Sequence, residues 1–229
     1  DPIQSLAAYD RLNMKLAGTY CGLSDSFDGA SHHAISDMAF ICSIPNMTLL
    51  SPCDAVETEK AVRAAADYDG PVYLRLSRAP AATIYPEDLD FTIGKGIVLR
   101  EGSDVTIAAT GTMVQRALSA ADLLAEQDIS AQVLDMHTVK PIDRELLLSS
   151  AKKTGAVVTA EENSIYGGLG SAVAEVLSYE YPVPIGYVGG TQFAGSGDYE
   201  ELIKKYRLDD RAIADRCLDM IQKKQKGES

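Results

Sequence analysis

Asp28-Gly29-Ala30-Ser31-His32-His33 lies between two segments of different period, and that placement decides the fold. Upstream, Leu12-Asn13-Met14-Lys15-Leu16-Ala17 reads as a strand that ends at Gly18. Downstream, Ala34-Ile35-Ser36-Asp37-Met38-Ala39-Phe40-Ile41 carries apolar side chains at helical spacing. An Asp, a Gly and a pair of His therefore sit between the end of a parallel strand and the start of a helix, where α/β folds place ligands. The loop offers a carboxylate, imidazoles, and backbone N–H groups near a helix N-terminus that favour anions. The same residues also read as an Asp-Gly turn with Ser31 capping the helix.

Strand and helix patterns alternate through the rest of the chain. Residues 48–50 form a short apolar run. Asp54 then opens a helix to residue 68, with Glu57 completing a variant capping box and Ala55, Val56, Ala61, Val62 and Ala65 facing inward. Gly70-Pro71 stops it, and strand 72–76 brings Ser77-Arg78 to a C-terminal strand end. Residues 79–90 hold Pro80 and Pro86, several acids and no sustained period, the character of a linker. A second unit follows, with strands at 105–109, 131–136, 156–160 and 184–188. Helices are expected at 112–127, 143–152, 168–178, 199–205 and 209–222. Such alternation predicts an α/β protein: two three-layer αβα domains with mostly parallel sheets, the first N-terminally incomplete.

Composition excludes several classes of function. The 229 residues carry a net charge of −12, which argues against a nucleic-acid surface. The basic cluster Lys223-Lys224-Gln225-Lys226 reads as a solvated, frayed tail. Cys21, Cys42, Cys53 and Cys217 show no metal-ligand or disulfide spacing, so reduced thiols in the cytoplasm fit best. No apolar run approaches the length of a membrane span, and no signal-peptide pattern is present. The chain opens at Asp1-Pro2, inside what reads as a helix already under way, which suggests a section of a longer protein.

Beyond the loop come Ser43-Ile44-Pro45-Asn46-Met47-Thr48, Pro52-Cys53-Asp54-Ala55 and Gly70-Pro71-Val72-Tyr73-Leu74-Arg75-Leu76-Ser77-Arg78. In this order the set resembles the pyrimidine-binding domain of transketolase. Thr110-Gly111, Lys140-Pro141-Ile142-Asp143, Glu161-Glu162-Asn163 and Gly167-Gly168-Leu169-Gly170 are similar to the family's third domain. The resemblance implies that residues 1–80 are the C-terminal part of the pyrimidine-binding domain, 81–93 a linker and 94–229 the C-terminal domain. It implies thiamine-diphosphate-dependent transfer of a two-carbon ketol unit between sugar phosphates of the pentose phosphate pathway. Gly22-Leu23 fits the split form of bacteria, in which the enzyme is divided over two chains.

The resemblance also assigns roles. Asp28 matches the carboxylate that bonds a substrate hydroxyl, and a turn-forming Asp is the alternative. His32 matches a catalytic His beside substrate and cofactor, against a helix-start His bonded to backbone. Arg78 matches the Arg that grips the sugar phosphate, a task suited to a bidentate guanidinium, against a surface ion pair. Ser77 is a minor helper and His33 structural. Tyr20 departs from the family, which often has a second phosphate-gripping His there; a phenol cannot supply that positive charge, which puts a phosphorylated donor in doubt. The cofactor and its Mg²⁺ are expected mainly on an N-terminal, diphosphate-binding section or subunit. This chain would bind neither cofactor nor metal itself and would be inactive alone. That partner section, a homo-oligomer (a dimer) and a sugar-phosphate substrate are the expected partners, with no nucleic acid and no membrane.

The remaining candidates read as structural. Thr110-Gly111-Thr112 lacks a P-loop Lys and is a turn; the 167–170 glycines give close backbone packing; Glu161 and Glu162 are solvated or cap a helix; His137 is a loop or interface residue. Competing readings are a deoxyxylulose-phosphate synthase or 2-oxoacid dehydrogenase beta-type relative, and a non-catalytic binding or assembly module with the same fold.

Overall fold

A computed structural model describes residues 2–227. Asp1, at which the sequence opens, lies outside them. The first part supplies β1 (Lys15–Gly18), α1 (Asp37–Ser43), β2 (Thr48–Leu50), α2 (Ala55–Asp67) and β3 (Val72–Arg75). The second supplies β4 (Ile97–Arg100), β5 (Val105–Ala109), α3 (Met113–Ala125), β6 (Ala131–Asp135), β7 (Thr138–Lys140) and α4 (Arg144–Thr154). It continues with β8 (Val157–Ser164), α5 (Leu169–Glu180), β9 (Ile185–Gly190), α6 (Tyr199–Lys205) and α7 (Asp210–Lys226).

These strands form two mostly parallel sheets, ordered β1-β3-β2-β7 and β4-β6-β5-β8-β9. Each is covered on both faces. On the first, Leu49 packs with Met38 and Ile41 of α1, while Leu50 points the other way onto Ala61 and Ala65 of α2. On the second, Ile107 and Val133 meet α3 and α7, and Ala108 and Leu134 meet α4 and α5. The result is the expected α/β class with helices on both sides of each sheet.

Two edge strands depart from the expected pattern. β4 pairs antiparallel with β6, and β7 crosses out of the second part to pair antiparallel with β2 of the first sheet. Lys140 fixes that crossing by donating to the carbonyls of Cys42 and Ile44. The segment joining the two parts is also tied down. Ile84 and Tyr85 donate backbone N–H groups to Asp54 at 2.7 and 3.0 Å, and Phe91 packs on His137 with ring centroids 4.2 Å apart.

Helix α2 starts as its sequence dictates: Asp54 accepts from Glu57 N–H and Glu57 accepts from Cys53 N–H, both at 2.7 Å. Its inner face differs from expectation. Ala61 and Ala65 are buried, but Ala55 and Val62 are exposed, and the carboxyl of Glu57 points inward. The basic C-terminal stretch is not a frayed tail. It completes α7, where Lys224 donates to the carbonyls of Thr154 and Asp104, and cationic side chains near a helix C-terminus are favoured by its dipole.

Candidate functional site

Parallel pairing of β1 with β3 puts the ends of two distant segments side by side. Leu76 N–H donates to Gly18 C=O at 2.8 Å, and Cys21 N–H donates to Leu76 C=O at 3.1 Å. Past this point the loop curls over the end of β3. Ser24 Oγ donates to Cys21 C=O at 2.6 Å and accepts from Arg78 N–H at 3.2 Å. Arg78 then closes a small cluster: Nη1 lies 2.6 Å from Asp25 Oδ1, and the guanidinium stands 5.2 Å from the centre of the Tyr20 ring. Tyr20 is held at φ 60°, a left-handed conformation uncommon for a bulky side chain and often found at functional positions.

The loop continues through backbone turns. Asp28 N–H donates to Asp25 C=O at 3.3 Å and His32 N–H to Gly29 C=O at 2.9 Å. Gly29 has φ 77° and lies against Ser196, and Gly197 N–H donates to Ser26 C=O at 3.1 Å, so a loop of the second part backs the turn. Asp28 and His32 are exposed, and His32 Nδ1 sits 3.0 Å from Ser31 Oγ. Ser31 does not cap α1; the N-cap position is Ser36. Ser77 Oγ accepts from Ala79 N–H at 3.0 Å. His33 is buried, and burial lowers its pKa, which suits a structural place. Tyr20, Asp28 and His32 thus lie on one loop at one sheet end, and Arg78 meets that loop at Tyr20, Ser24 and Asp25. Asp25, to which no pattern in the sequence draws attention, is the residue that touches Arg78.

A second set of charges lies in the seam between the sheets. Arg75 is buried and donates to Asp37 Oδ2 at 2.9 Å, Ala34 C=O at 3.1 Å and Glu162 C=O at 3.0 Å. Glu162 accepts from Leu23 N–H, Thr112 Oγ and Tyr199 OH, each at 2.6 Å. Glu161 accepts from Leu169 N–H and Gly170 N–H, both at 2.8 Å, so it caps α5, and burial raises its pKa to about 7. Both Glu side chains are buried, contrary to a solvated reading, because their acceptor capacity is spent on groups that themselves need partners. Glycines at 168 and 170 allow this closeness, since a Cβ at Gly168 would overlap Glu161. Thr110-Gly111-Thr112 is the expected turn, with Gly111 N–H donating to Ser51 C=O at 3.1 Å.

Asp135 and Glu57 meet deeper in the seam. Tyr85 OH donates to Asp135 Oδ2 at 2.7 Å. Asp135 Oδ1 and Glu57 Oε1 are buried with no other protein partner. Cys53, Glu57 and Asp135 each present an atom within 4.8 Å of the others. Burial and the facing carboxylate push Glu57 well above the usual carboxylate range, so the pair retains a proton. His137 is buried against Phe91, and burial lowers its pKa to about 4.

These assignments bear on a bound cofactor. Glu161, Glu162 and the 110–112 turn spend their hydrogen bonds on internal partners, so none of these three is left to hold a diphosphate or its cation.

The family models for the transketolase pyrimidine-binding domain and the transketolase C-terminal domain match residues 1–82 and 94–213. A 6-deoxy-6-sulfo-D-fructose transketolase subunit from Clostridium sp. (strain MSTE9) is 44% identical over 225 residues, covering 98% of this chain and 70% of the relative. An apulose-4-phosphate transketolase subunit from Phocaeicola vulgatus is 38% identical over 218 residues, covering 94% and 70%. The solved structure described as a split gene transketolase, inactive beta4 tetramer, superposes with a TM-score of 0.92 at 46% identity, covering 96% of this chain and 71% of that one.

Proposed function

Because the chain belongs to the transketolase family, as its C-terminal part, we propose that its loop cluster binds and orients a ketose donor for transfer of a two-carbon ketol unit to an aldose. The family depends in general on thiamine diphosphate. In this reading the cofactor and its Mg²⁺ sit mainly on an N-terminal section or subunit, and the chain works in a cytoplasmic homo-oligomer with that partner. The free cysteines suit such a compartment. Among the described residues, no helix is long and apolar enough to cross a membrane.

The supporting observation is the convergence of Asp28, His32, Arg78 and Tyr20 on the loop that β1 and β3 bring together. Each residue has a task its chemistry allows. Asp28, an exposed acceptor beside a glycine turn, bonds a sugar hydroxyl; discrimination between hydroxyl configurations requires such a polar partner. His32 exchanges a proton with the substrate oxygen nearest the reacting carbon. Arg78, with Tyr20, meets the far end of the sugar.

The test is turnover by this chain together with its cofactor-binding section. A ketose donor with an aldose acceptor should support product formation, and pyruvate should not. Pyruvate turnover in place of ketose turnover would favour the deoxyxylulose-phosphate synthase or 2-oxoacid dehydrogenase reading. Calorimetry on this chain alone should show no micromolar binding of thiamine diphosphate with Mg²⁺.

A further inference from the structure

The cluster at the far end of the loop is unusual for a site that holds a doubly charged group. Its one cation, Arg78, is already paired with Asp25 at 2.6 Å. Tyr20, over which the guanidinium stands, is neutral. Asp28 adds a second carboxylate three residues along the same loop. The two members of the ion pair are unequally solvated: the Arg78 side chain is 58% exposed and that of Asp25 only 12%. Water therefore screens the cation well and the carboxylate poorly.

Each kind of ligand end meets this arrangement differently. A phosphate accepts hydrogen bonds and carries up to two negative charges. Arg78 keeps donors beyond the Nη1 that meets Asp25, but a phosphate bonding them would lie beside a poorly screened carboxylate that can only accept. A sulfonate has the same conflict with one charge. A hydroxyl can donate to Asp25 and accept from Arg78 at once, leaving the ion pair intact. The Tyr20 phenol can add a donor or an acceptor.

Building on the transketolase reading above, we infer that Asp25 is a specificity residue, and that this end of the site takes a ketose whose last carbon bears an uncharged hydroxyl in preference to one ending in phosphate. The Arg78–Asp25 pair and the Tyr20 ring form a polar, charge-balanced stop for the sugar chain.

The experiment uses this chain with its cofactor-binding section and measures kcat/KM for D-xylulose, D-xylulose 5-phosphate and a sulfonate-ended ketose. Hydroxypyruvate, a donor without the sugar chain that the Arg78–Asp25 pair would meet, serves as the control. The native protein should favour the hydroxyl-ended donor over both anionic ones. Asp25→Asn keeps the side chain's shape and removes its charge. It should shift the phosphate-to-hydroxyl ratio toward phosphate by tenfold or more, and Asp25→Ser should shift it the same way. A native preference for phosphate or sulfonate, or a ratio that neither substitution moves, overturns the inference. Activity on hydroxypyruvate with either result leaves the transketolase reading standing. Inactivity on every donor, hydroxypyruvate included, sinks that reading and this inference with it.

Discussion

The loop that carries Asp25, Asp28 and His32 and the seam that carries Glu57, Arg75 and Glu162 both concentrate charge, yet they hold it in opposite ways. Asp28 and His32 are exposed and fixed through their backbone, so their side chains remain available. Arg75 and Glu162 are buried, and each is held by hydrogen bonds to three neighbours. A charged cluster is therefore not evidence of a site until its partners are counted. By that count the loop can meet a ligand, and the seam joins two sheets.

The comparison breaks most sharply at His32. In the complete enzyme His32→Ala should lower turnover by about 10²–10⁴-fold if the imidazole moves a proton. Stability should change by no more than about 0.5 kcal/mol, because the side chain is exposed. Steady-state kinetics paired with urea denaturation separates the two effects. Near-normal turnover would make the loop a scaffold and remove His32 from the chemistry.

Arg75 should behave in the reverse manner. Arg75→Met fills much of the volume but leaves Asp37 with Tyr73 OH alone and takes the donor from the carbonyls of Ala34 and Glu162. Breaking a buried pair from one side costs roughly 3–5 kcal/mol. A loss below about 1 kcal/mol in urea unfolding would show that the seam relaxes around the missing charge.

Glu162 sits between these extremes, because it ties the seam to the loop through Leu23 N–H. Glu162→Gln removes the negative charge and retains only one side-chain oxygen for three donors. A lost charged hydrogen bond is worth roughly 1.5–3 kcal/mol. The same variant should raise KM for the ketose donor more than it lowers kcat, since the loop that positions the sugar loses an anchor. Unchanged stability and KM would mean that the Leu23 contact carries no strain to the loop.

Local pattern makes much of this legible, and distance in sequence hides the rest. Strand β5 and helix α6 occupy the residues expected of them, and α2 begins at its capping box. The loop is legible because Asp28 and His32 lie in one short run between a strand and a helix. The Asp25–Arg78 contact is not, because it spans 53 positions and exists only once β1 and β3 pair. The burial of Glu162 depends on Leu23, 139 positions away. Strand β7 is three residues long with a lysine at its end, too short to show a period, and its partner β2 comes from the first part of the chain. The strand expected from residue 12 starts at Lys15, because Leu12 N–H turns back to Ala7 C=O. Helix α1 starts at Asp37, later than its period suggests, because Ala34 bridges Cys21 and Gly22. Periodicity reports which face a residue takes within its own element; it carries nothing about what the facing element brings.

The smallest expected effect concerns Glu57, and it sharpens the contrast by making the seam respond to pH. Glu57 and Asp135 are fully buried, and each has an oxygen with no partner unless a proton lies between them. Burial and the facing carboxylate hold the Glu57 pKa above its ordinary value of 4.5. The folded chain therefore keeps a proton that the unfolded chain has lost once pH exceeds the ordinary carboxylate range. With fewer protons bound in the unfolded state, stability falls as pH rises, by at most about 1.4 kcal/mol per pH unit for one proton. The fall ends only where the folded pair itself ionises. Glu57→Gln removes this titration. The amide carbonyl can still accept from Cys53 N–H, and the amide N–H can donate permanently to Asp135. Other ionisable groups are common to both proteins, so the difference between their stability curves isolates the pair. Urea unfolding at pH 6 and pH 8.5 should show the variant losing less stability over that interval, by roughly 1–3 kcal/mol. Parallel losses in the two proteins would mean that Glu57 is already ionised in the fold and that the seam holds a bare pair of like charges.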